Sequence, residues 1–293
     1  MSDTPVVVGV DGSAFALTAT EWAADEAARR GARLHIVHAN LWPTVRMPAA
    51  HSPIEFQQPL LEHSQQLLKV AVNTAEARQP GVAITSALVG TVPLDLLIAE
   101  SRHAQLVVLG ARGLGGFAGL LAGSVAVGVV THARCPVAVI RAGTADAALP
   151  TDGPVVVGVD GSPGSTPALR YAFEAASRLD ATLCALHTWS DVAVDAPLGD
   201  PAWMIDWDRV QEDEERLLAE RLAGWQQEYP DVKVVRRVTR DRPVRSLLEA
   251  AGTAQLVVAG SRGRGGFAGM LLGSTSHALI HHCPCPLVVV RDA

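Results

Sequence analysis

The apolar residues of this chain occur in short continuous runs, separated by longer stretches in which polar and apolar residues mix. In the first half, the apolar runs predict buried strands at residues 6–10, 34–39, 82–88, 106–109 and 137–141. The mixed stretches predict helices at residues 14–30, 55–78, 92–102 and 123–132. Ser13 directly before the first helix and Pro93 in the first turn of the third are residue types that favour helix starts.

The second half of the chain repeats the first. The segment PVVVGVDGS at residues 5–13 recurs unchanged 149 positions later, and AQLVVLGARGLGGFAGLLAGS, from Ala104, recurs 150 positions later as AQLVVAGSRGRGGFAGMLLGS. A near-constant offset predicts two homologous domains, at residues 1–145 and 150–293, with a linker of small residues around 142–153. The second half also carries a tryptophan-containing insertion at 189–207, followed by a predicted long helix at 209–228.

Strands that alternate with helices indicate a parallel sheet whose right-handed crossovers place helices on both faces. Each half therefore predicts an α/β domain, a Rossmann-like doubly wound sheet of five parallel strands. In such sheets, ligands bind beyond the carboxyl ends of the strands, where the strand order reverses. Two segments of each half are candidates for that place: the VGVDGS turn after the first strand and the glycine-rich loop after the fourth.

Composition narrows the classes of function. Of the 293 residues, 48% are hydrophobic, and the net charge of -6 argues against broad binding of nucleic acid, which needs many cations. No basic segment precedes an apolar one at the N-terminus, and no run of about 18 apolar residues occurs, so we expect a cytoplasmic protein without a membrane span. The four cysteines form no CxxC pair and are predicted to be reduced thiols of the core.

The glycine-rich loops have the spacing and the residue types of an anion site. The pattern G-x2-G-x9-G-S runs from Gly110 to Ser124 and again from Gly260 to Ser274. Glycines after a strand let backbone N–H groups turn inward into an anion-binding concavity, and the glycine–serine pair opens a helix whose N-terminus favours the same charge. Arg112 and its counterpart in the second loop add charged donors. Such a loop often only connects a strand to a helix, but two copies beside an aspartate turn predict a polyphosphate ligand.

The aspartate that follows the first strand of each half completes the predicted site. Asp11 and Asp160 can accept hydrogen bonds from ribose hydroxyls or an adenine amino group, although an aspartate here can also cap the helix that follows. We expect one nucleotide in each half. The predicted contacts in the first half are Gly9, Val10, Asp11, Ala39, Gly110, Arg112, Gly113, Gly115, Gly116, Gly123, Ser124 and Val125. Those in the second half are Gly158, Val159, Asp160, Thr188, Gly260, Ser261, Arg262, Gly263, Arg264, Gly265, Gly266, Gly273, Ser274 and Thr275.

The loop pattern and the V-D-G-S turn together resemble the universal stress protein family, in its ATP-binding branch, and the similarity covers nearly the whole chain twice. The resemblance implies the strand order 3-2-1-4-5 in each domain. It implies ATP in each domain, alone or with magnesium, contacting the aspartate of the turn and the glycines and serine of the loop. It also implies a homodimer that regulates growth or survival under stress through nucleotide-dependent conformation or binding of a protein partner.

An enzyme remains the alternative, either a slow ATPase or a nucleotidyl transferase that uses the same loops. The chain has only two lysines, Lys69 and Lys233, and neither follows a glycine, so the lysine of a P-loop is missing. No G-x-S-x-G nucleophile motif occurs either. We assign no catalytic residue and no metal ligand, and we expect binding without fast turnover.

Three other features have competing explanations. The arginine-rich segment 236–245 predicts a solvated face or an interface more than a nucleic-acid site, because no aromatic residues interleave with its cations. His277 and His281 have the spacing of two metal ligands on a helix, but a helix surface explains them as well. The first loop has Leu114 where the second has Arg264, and Val125–Ala126 where the second has Thr275–Ser276, so we expect fewer phosphate donors and weaker phosphate binding in the first half.

Overall fold

The computed structural model describes residues 2–40, 53–113, 122–141, 149–189, 206–264 and 271–291. The chain divides into two compact units, Met1–Ala148 and Leu149–Asp292. Across the described residues, no helix combines the length and the apolar character that crossing a membrane requires.

Unit 1 is a doubly wound α/β domain with the predicted strand order. Its strands are β1 Ser2–Gly9, β2 Ala32–Ala39, β3 Ile84–Val89, β4 Leu106–Gly110 and β5 Val137–Ile140. Its helices are α1 Ala14–Arg30, α2 Pro53–Arg78, α3 Pro93–Glu100 and α4 Ser124–His132. The strands follow the order β3-β2-β1-β4-β5, and each neighbouring pair is parallel. The order reverses between β1 and β4, which creates the switch point at their carboxyl ends.

Unit 2 repeats this arrangement. Its strands are β6 Val155–Val159, β7 Leu183–Trp189, β8 Val234–Arg240, β9 Leu256–Gly260 and β10 Leu287–Val290. Its helices are α5 Thr166–Arg178, α6 Trp207–Leu222, α7 Trp225–Glu228, α8 Pro243–Ala251 and α9 Ser274–His282. The order is β8-β7-β6-β9-β10 with parallel pairs, so the predicted fold is confirmed in both halves.

The core of each unit lies on both faces of its sheet. In β1, Val6, Val7 and Val8 are completely buried although their side chains alternate between faces. Helices α1 and α2 pack together, as do α3 and α4, and the two pairs cover opposite faces. This double coverage explains why the strands appear in the sequence as continuous apolar runs rather than as alternating ones.

Three of the four cysteines lie in this core, and all four are free thiols. Burial raises the pKa of Cys135 to about 12. The hydrogen-bonded thiol of Cys283, 3.8 Å away between sulfur atoms, raises the pKa of Cys285, and burial adds to the effect. Because the thiolate is the reactive form of cysteine, these raised pKa values keep Cys135 and Cys285 neutral and unreactive.

Equivalent core positions of the two units hold residues of different size. Unit 1 has Ala24 on α1 and Ala75 on α2, both completely buried. The equivalent positions of unit 2 hold Phe173 and Trp225, whose rings stack with centroids 5.5 Å apart. Tyr229 adds a third ring, 5.6 Å from that of Phe173. Stacked aromatic rings therefore fill in unit 2 the space that close approach of small side chains removes in unit 1.

The predicted continuous helix at residues 209–228 is wrong. Helix α6 ends at Leu222, and Ala223 is extended, with φ -61° and ψ 134°. Gly224 then adopts the left-handed conformation, with φ 86° and ψ -29°, before the short helix α7 begins at Trp225. The break brings Trp225 against Phe173, so aromatic packing interrupts a stretch whose local pattern favours one helix.

Gly224→Ala is expected to destabilise the protein by about 1 kcal/mol, because an alanine at positive φ is strained. A Cβ at this position would meet nothing within 4 Å, so the cost is conformational and not steric. Gly81→Ala is the matched control, since its Cβ also meets nothing within 4 Å and its φ is not positive. We expect Gly81→Ala to be neutral or stabilising in urea unfolding followed by tryptophan fluorescence. Equal effects of the two variants would contradict the strained conformation of Gly224.

Candidate functional site

The candidate site of unit 1 begins with the turn that follows β1. Asp11 Oδ1 accepts a hydrogen bond of 3.0 Å from the backbone N–H of Ser13, which closes the turn around Gly12, with φ 87°. The Ser13 hydroxyl caps α1 by accepting from the N–H of Ala16 at 3.2 Å. The aspartate is thus a turn residue and not the helix cap, and its second carboxylate oxygen faces away from this turn bond.

The glycine-rich loop lies directly against the aspartate turn. The Ser13 hydroxyl approaches the carbonyl oxygen of Arg112 at 3.4 Å and so connects the turn to the loop. At Gly113, an added Cβ would overlap Asp11 Oδ2. Any other residue at position 113 would therefore displace the carboxylate of Asp11 from its present position.

Unit 2 builds the same arrangement with additional hydrogen bonds. Asp160 Oδ1 accepts from the N–H of Ser162 at 2.9 Å and from its hydroxyl at 2.7 Å. Asp160 Oδ2 accepts from the N–H of Arg264 at 2.7 Å, and a Cβ on Gly263 would lie 3.1 Å from the same oxygen. The guanidinium of Arg264 also lies against the Cα of Gly161, where φ is 75°. The second loop is therefore held to its aspartate turn by a direct backbone hydrogen bond.

Each loop returns to the sheet at a helix N-terminus that has no side-chain cap. Gly123 and Gly273 are the N-cap residues of α4 and α9, and their N–H groups donate to Ala111 at 2.9 Å and to Ser261 at 2.8 Å. Because a glycine has no side chain, it leaves the first-turn N–H groups of the helix to another acceptor. Ser124 and Ser274 are exposed at the first helical positions, next to those groups.

Arg112 supplies a charged donor beside this helix terminus. Its Nε atom is buried and has no hydrogen-bond partner within the described part of the chain. Buried polar groups are almost always hydrogen-bonded in native proteins, so this nitrogen is available to an acceptor outside the described residues. In unit 2 the corresponding Arg262 is exposed.

Several predicted contacts have a packing reason for being glycine. A Cβ on Gly9 would lie 2.9 Å from Leu97 of α3, and one on Gly158 would lie 3.3 Å from Leu247 of α8. A Cβ on Gly110 would lie 2.9 Å from the backbone of Phe15, so this glycine lets α1 start close to the end of β4. These glycines bring helices close to the sheet at the switch point.

The remaining predicted residues fall into three groups. Val10 and Val159 are buried at the ends of β1 and β6, whereas Ala39 and Thr188 lie half-buried one strand further, on β2 and β7. Val125 and Thr275 are half-buried at the starts of α4 and α9. Four predicted contacts lie outside the described residues: Gly115, Gly116, Gly265 and Gly266. Leu114 lies outside them too. The hydroxyl of Ser276, next to Thr275, donates to the carbonyl of Gly260 at 2.6 Å, so it is not a spare donor for phosphate.

Two histidines support the aspartate turns and were not among the predicted contacts. His38 Nδ1 lies 2.7 Å from the carbonyl oxygen of Val10, and His187 Nδ1 lies 2.6 Å from that of Val159. Each carbonyl belongs to the residue directly before the site aspartate. The sequence signal was the recurrence of His-Ala and His-Thr at the ends of the second strands, which favours a structural role over a ligand contact.

The histidine pair of α9 and the arginine-rich segment 236–245 are the other groups with competing explanations. His277 and His281 bring their rings to 4.7 Å on α9, but no group of three or more possible metal ligands occurs among the residues described. In the arginine-rich segment, Arg237 pairs with Glu249 at 3.4 Å and Arg245 with Asp241 at 3.7 Å. These ion pairs support the interpretation of a solvated face.

The fold and the repeated turn define a tandem protein of two Rossmann-like domains, each with an aspartate turn and a glycine-rich loop at its switch point. The model of the universal stress protein family matches residues 4–141 and 153–291, and the chain belongs to this family. The tandem assignment made from the sequence is thereby confirmed.

Relatives of the same length share the full architecture. The universal stress protein Rv2005c of Mycobacterium tuberculosis is 42% identical over 295 residues, covering 98% of this chain and 97% of that protein. Rv1996 of the same organism is 43% identical over 305 residues, covering 98% and 94%. A universal stress protein from Archaeoglobus fulgidus matches in structure with a TM-score of 0.70 at 18% identity over 100% of both chains, which supports the fold. A universal stress protein solved in complex with cAMP is 29% identical over 48% of this chain and 98% of its own, with a TM-score of 0.37.

Gly113→Ala is expected to displace Asp11, because the new Cβ would overlap Asp11 Oδ2. The N–H of Ser13 then loses its acceptor, and its exchange with deuterium should accelerate about tenfold, equivalent to about 1.4 kcal/mol. Hydrogen-exchange mass spectrometry of the peptide that spans the turn measures this effect. Gly81→Ala is the control, and unchanged exchange in Gly113→Ala would contradict the contact between Gly113 and the carboxylate.

Proposed function

We propose that this protein binds one ATP in each unit, with the phosphates in the glycine-rich loop and the ribose or base at the aspartate turn. The observation that carries the proposal is the apposition of Asp11 and Gly113, repeated by Asp160 and Gly263. A loop that only connects a strand to a helix has no need to present a carboxylate and an uncapped helix terminus at one place. Two copies of the same arrangement make a chance contact a poor explanation.

The phosphate end of the proposed site is supported by three kinds of donor. The first-turn N–H groups of α4 and α9 are left open by their glycine caps, and the helix dipole favours an anion there. Ser124 and Ser274 add exposed hydroxyls. The Nε of Arg112, which has no partner among the described residues, adds a charged donor, and such a donor forms shorter and stronger hydrogen bonds to phosphate than a neutral group does.

The sugar end is supported by the carboxylates. An ionised aspartate only accepts hydrogen bonds, and a vicinal diol offers two donors. In unit 2, a ribose hydroxyl that binds Asp160 Oδ2 would compete with the N–H of Arg264. Ligand entry there would release Arg264, whose side chain is then available for phosphate. Unit 1 lacks this arginine and has Val125 for Thr275, so we propose that it binds more weakly.

The proposed role is regulation by occupancy and not catalysis. Magnesium can accompany the phosphates, but no lysine of the P-loop type and no nucleophile motif supplies group-transfer chemistry. We propose a cytoplasmic homodimer in which nucleotide binding changes conformation or the choice of a protein partner, in support of growth or survival under stress. Slow hydrolysis of ATP in the same loops is the alternative.

Protein purified without added nucleotide is expected to release one ATP per unit when it is denatured and its supernatant is resolved by anion-exchange chromatography. One ATP per chain would assign occupancy to the stronger site of unit 2. Bound ADP or AMP would favour the hydrolytic alternative. Absence of nucleotide even after incubation with ATP would overturn the proposal.

Gly263→Glu is expected to empty the site of unit 2, because it adds an anion beside Asp160 in the proposed phosphate loop. The loss should be one ATP per chain, with the site of unit 1 unaffected. Gly81→Glu adds the same charge at an open surface position and is the matched control. Full nucleotide content in Gly263→Glu would contradict the placement of the phosphates in the glycine-rich loop.

A further inference from the structure

His187 of unit 2 is bound on both of its ring nitrogens by acceptors. Its side chain is 2% exposed. Nδ1 lies 2.6 Å from the carbonyl oxygen of Val159, and Nε2 lies 2.7 Å from Oε2 of Glu214 on α6. This link joins a helix on the face of the sheet to the residue that directly precedes Asp160.

The link requires a proton. A carbonyl oxygen can only accept, so Nδ1 carries a hydrogen and donates it to Val159. In such a neutral ring, Nε2 carries a lone pair, so no hydrogen would lie between Nε2 and the carboxylate oxygen. The contact is favourable only when a proton lies between Nε2 and Glu214, as in an imidazolium–carboxylate pair.

Helix α6 holds the aspartate turn at two points. The first is the link through His187 to the carbonyl of Val159. The second is Leu217, one turn along the helix from Glu214, which lies 2.6 Å from the position of a Cβ on Gly161. Asp160 lies between these two points, so a movement of α6 is transmitted to the carboxylate.

Unit 1 has a leucine contact equivalent to that of Leu217, but it has no carboxylate equivalent to that of Glu214. His38 approaches Val10 as His187 approaches Val159, and Leu67 lies against Gly12 as Leu217 lies against Gly161. The position equivalent to Glu214 is the buried Ser64. The charge that holds a proton on the histidine of unit 2 is therefore missing from this position of unit 1.

We propose that Glu214 acts through His187 as a positioning residue for the Asp160 turn, and that this contact raises the nucleotide affinity of unit 2 but not of unit 1. The inference rests on the proposed function. When the contact between Nε2 and Glu214 is lost, α6 holds the turn only through Leu217, so the affinity of unit 2 falls.

Other charges surround the pair. Arg236 and Arg240 lie on the His187 face of β8, since His187 is in register with Val238. Asp160 follows β6, and Glu215 neighbours Glu214 on α6. The charged residues of α5, which also packs against β7, are Arg170, Glu174 and Arg178. None of these replaces the direct contact of Glu214 with Nε2, so the proton depends on that carboxylate.

The test measures ATP affinity by calorimetry in full-length protein with one site disabled by Gly113→Glu or Gly263→Glu. With only unit 2 active, Glu214→Ser should weaken binding about tenfold, whereas Glu214→Gln should keep most of the affinity, because its amide can donate to Nε2. With only unit 1 active, Glu214→Ser should change nothing, whereas Ser64→Glu should strengthen binding. Equal effects of Glu214→Ser and Glu214→Gln, or weakening in both units, would overturn the proposal.

A second measurement needs no nucleotide. Hydrogen-exchange mass spectrometry of the peptide that spans the Asp160 turn should show faster exchange in Glu214→Ser than in Glu214→Gln or the wild-type protein. Equal exchange in the three proteins would overturn the positioning role. Absence of ATP binding in the wild-type protein would overturn the proposed function and this inference with it, whereas ATP binding unaffected by Glu214→Ser would overturn the inference alone.

Discussion

A close approach between an aspartate carboxylate and a glycine organises both candidate sites. At the switch point of each sheet, the aspartate turn and the glycine-rich loop leave neighbouring strands, and a Cβ would overlap the carboxylate at Gly113 and lie 3.1 Å from it at Gly263. The turn itself depends on positive φ at Gly12 and Gly161, and its aspartate bonds the N–H two residues later. Sheet order, turn conformation and loop composition thus converge on one contact.

The parts of the structure that depend on short-range patterns could be predicted from the sequence. Continuous valine runs indicated strands buried on both faces, and the exact repeat of PVVVGVDGS located two equivalent switch points. The start of β3 was misplaced by two residues, because Val82 donates to Gln79 in the turn that ends α2, at 3.1 Å. A single apolar residue beside a strand carries no signal that separates turn from strand.

The parts that depend on contacts between distant residues could not be predicted. The break at Gly224 follows from the stacking of Trp225 on Phe173, residues that lie on different helices. The pairing of His187 with Glu214 joins a strand end to a helix 27 positions away. Ser276 was a plausible phosphate donor by its place in the loop, but its hydroxyl is used by Gly260, which lies beside it only in the folded chain. In each case, the local sequence is compatible with two outcomes and tertiary packing chooses one.

The two units differ most where the backbone does not constrain them. Backbone N–H groups and a glycine cap depend little on the surrounding side chains, so the glycine pattern of the loop is the same in both units. The residues that pack behind the turn and loop have diverged: Ala24 and Ala75 in unit 1 correspond to Phe173 and Trp225 in unit 2, and Ser64 corresponds to Glu214. Such substitutions leave the fold and the contact between turn and loop intact but change how α6 or α2 contacts the aspartate turn. A tandem chain can therefore keep two sites for one kind of ligand and give each a different response, because the ligand contacts and the residues that position them lie on separate elements.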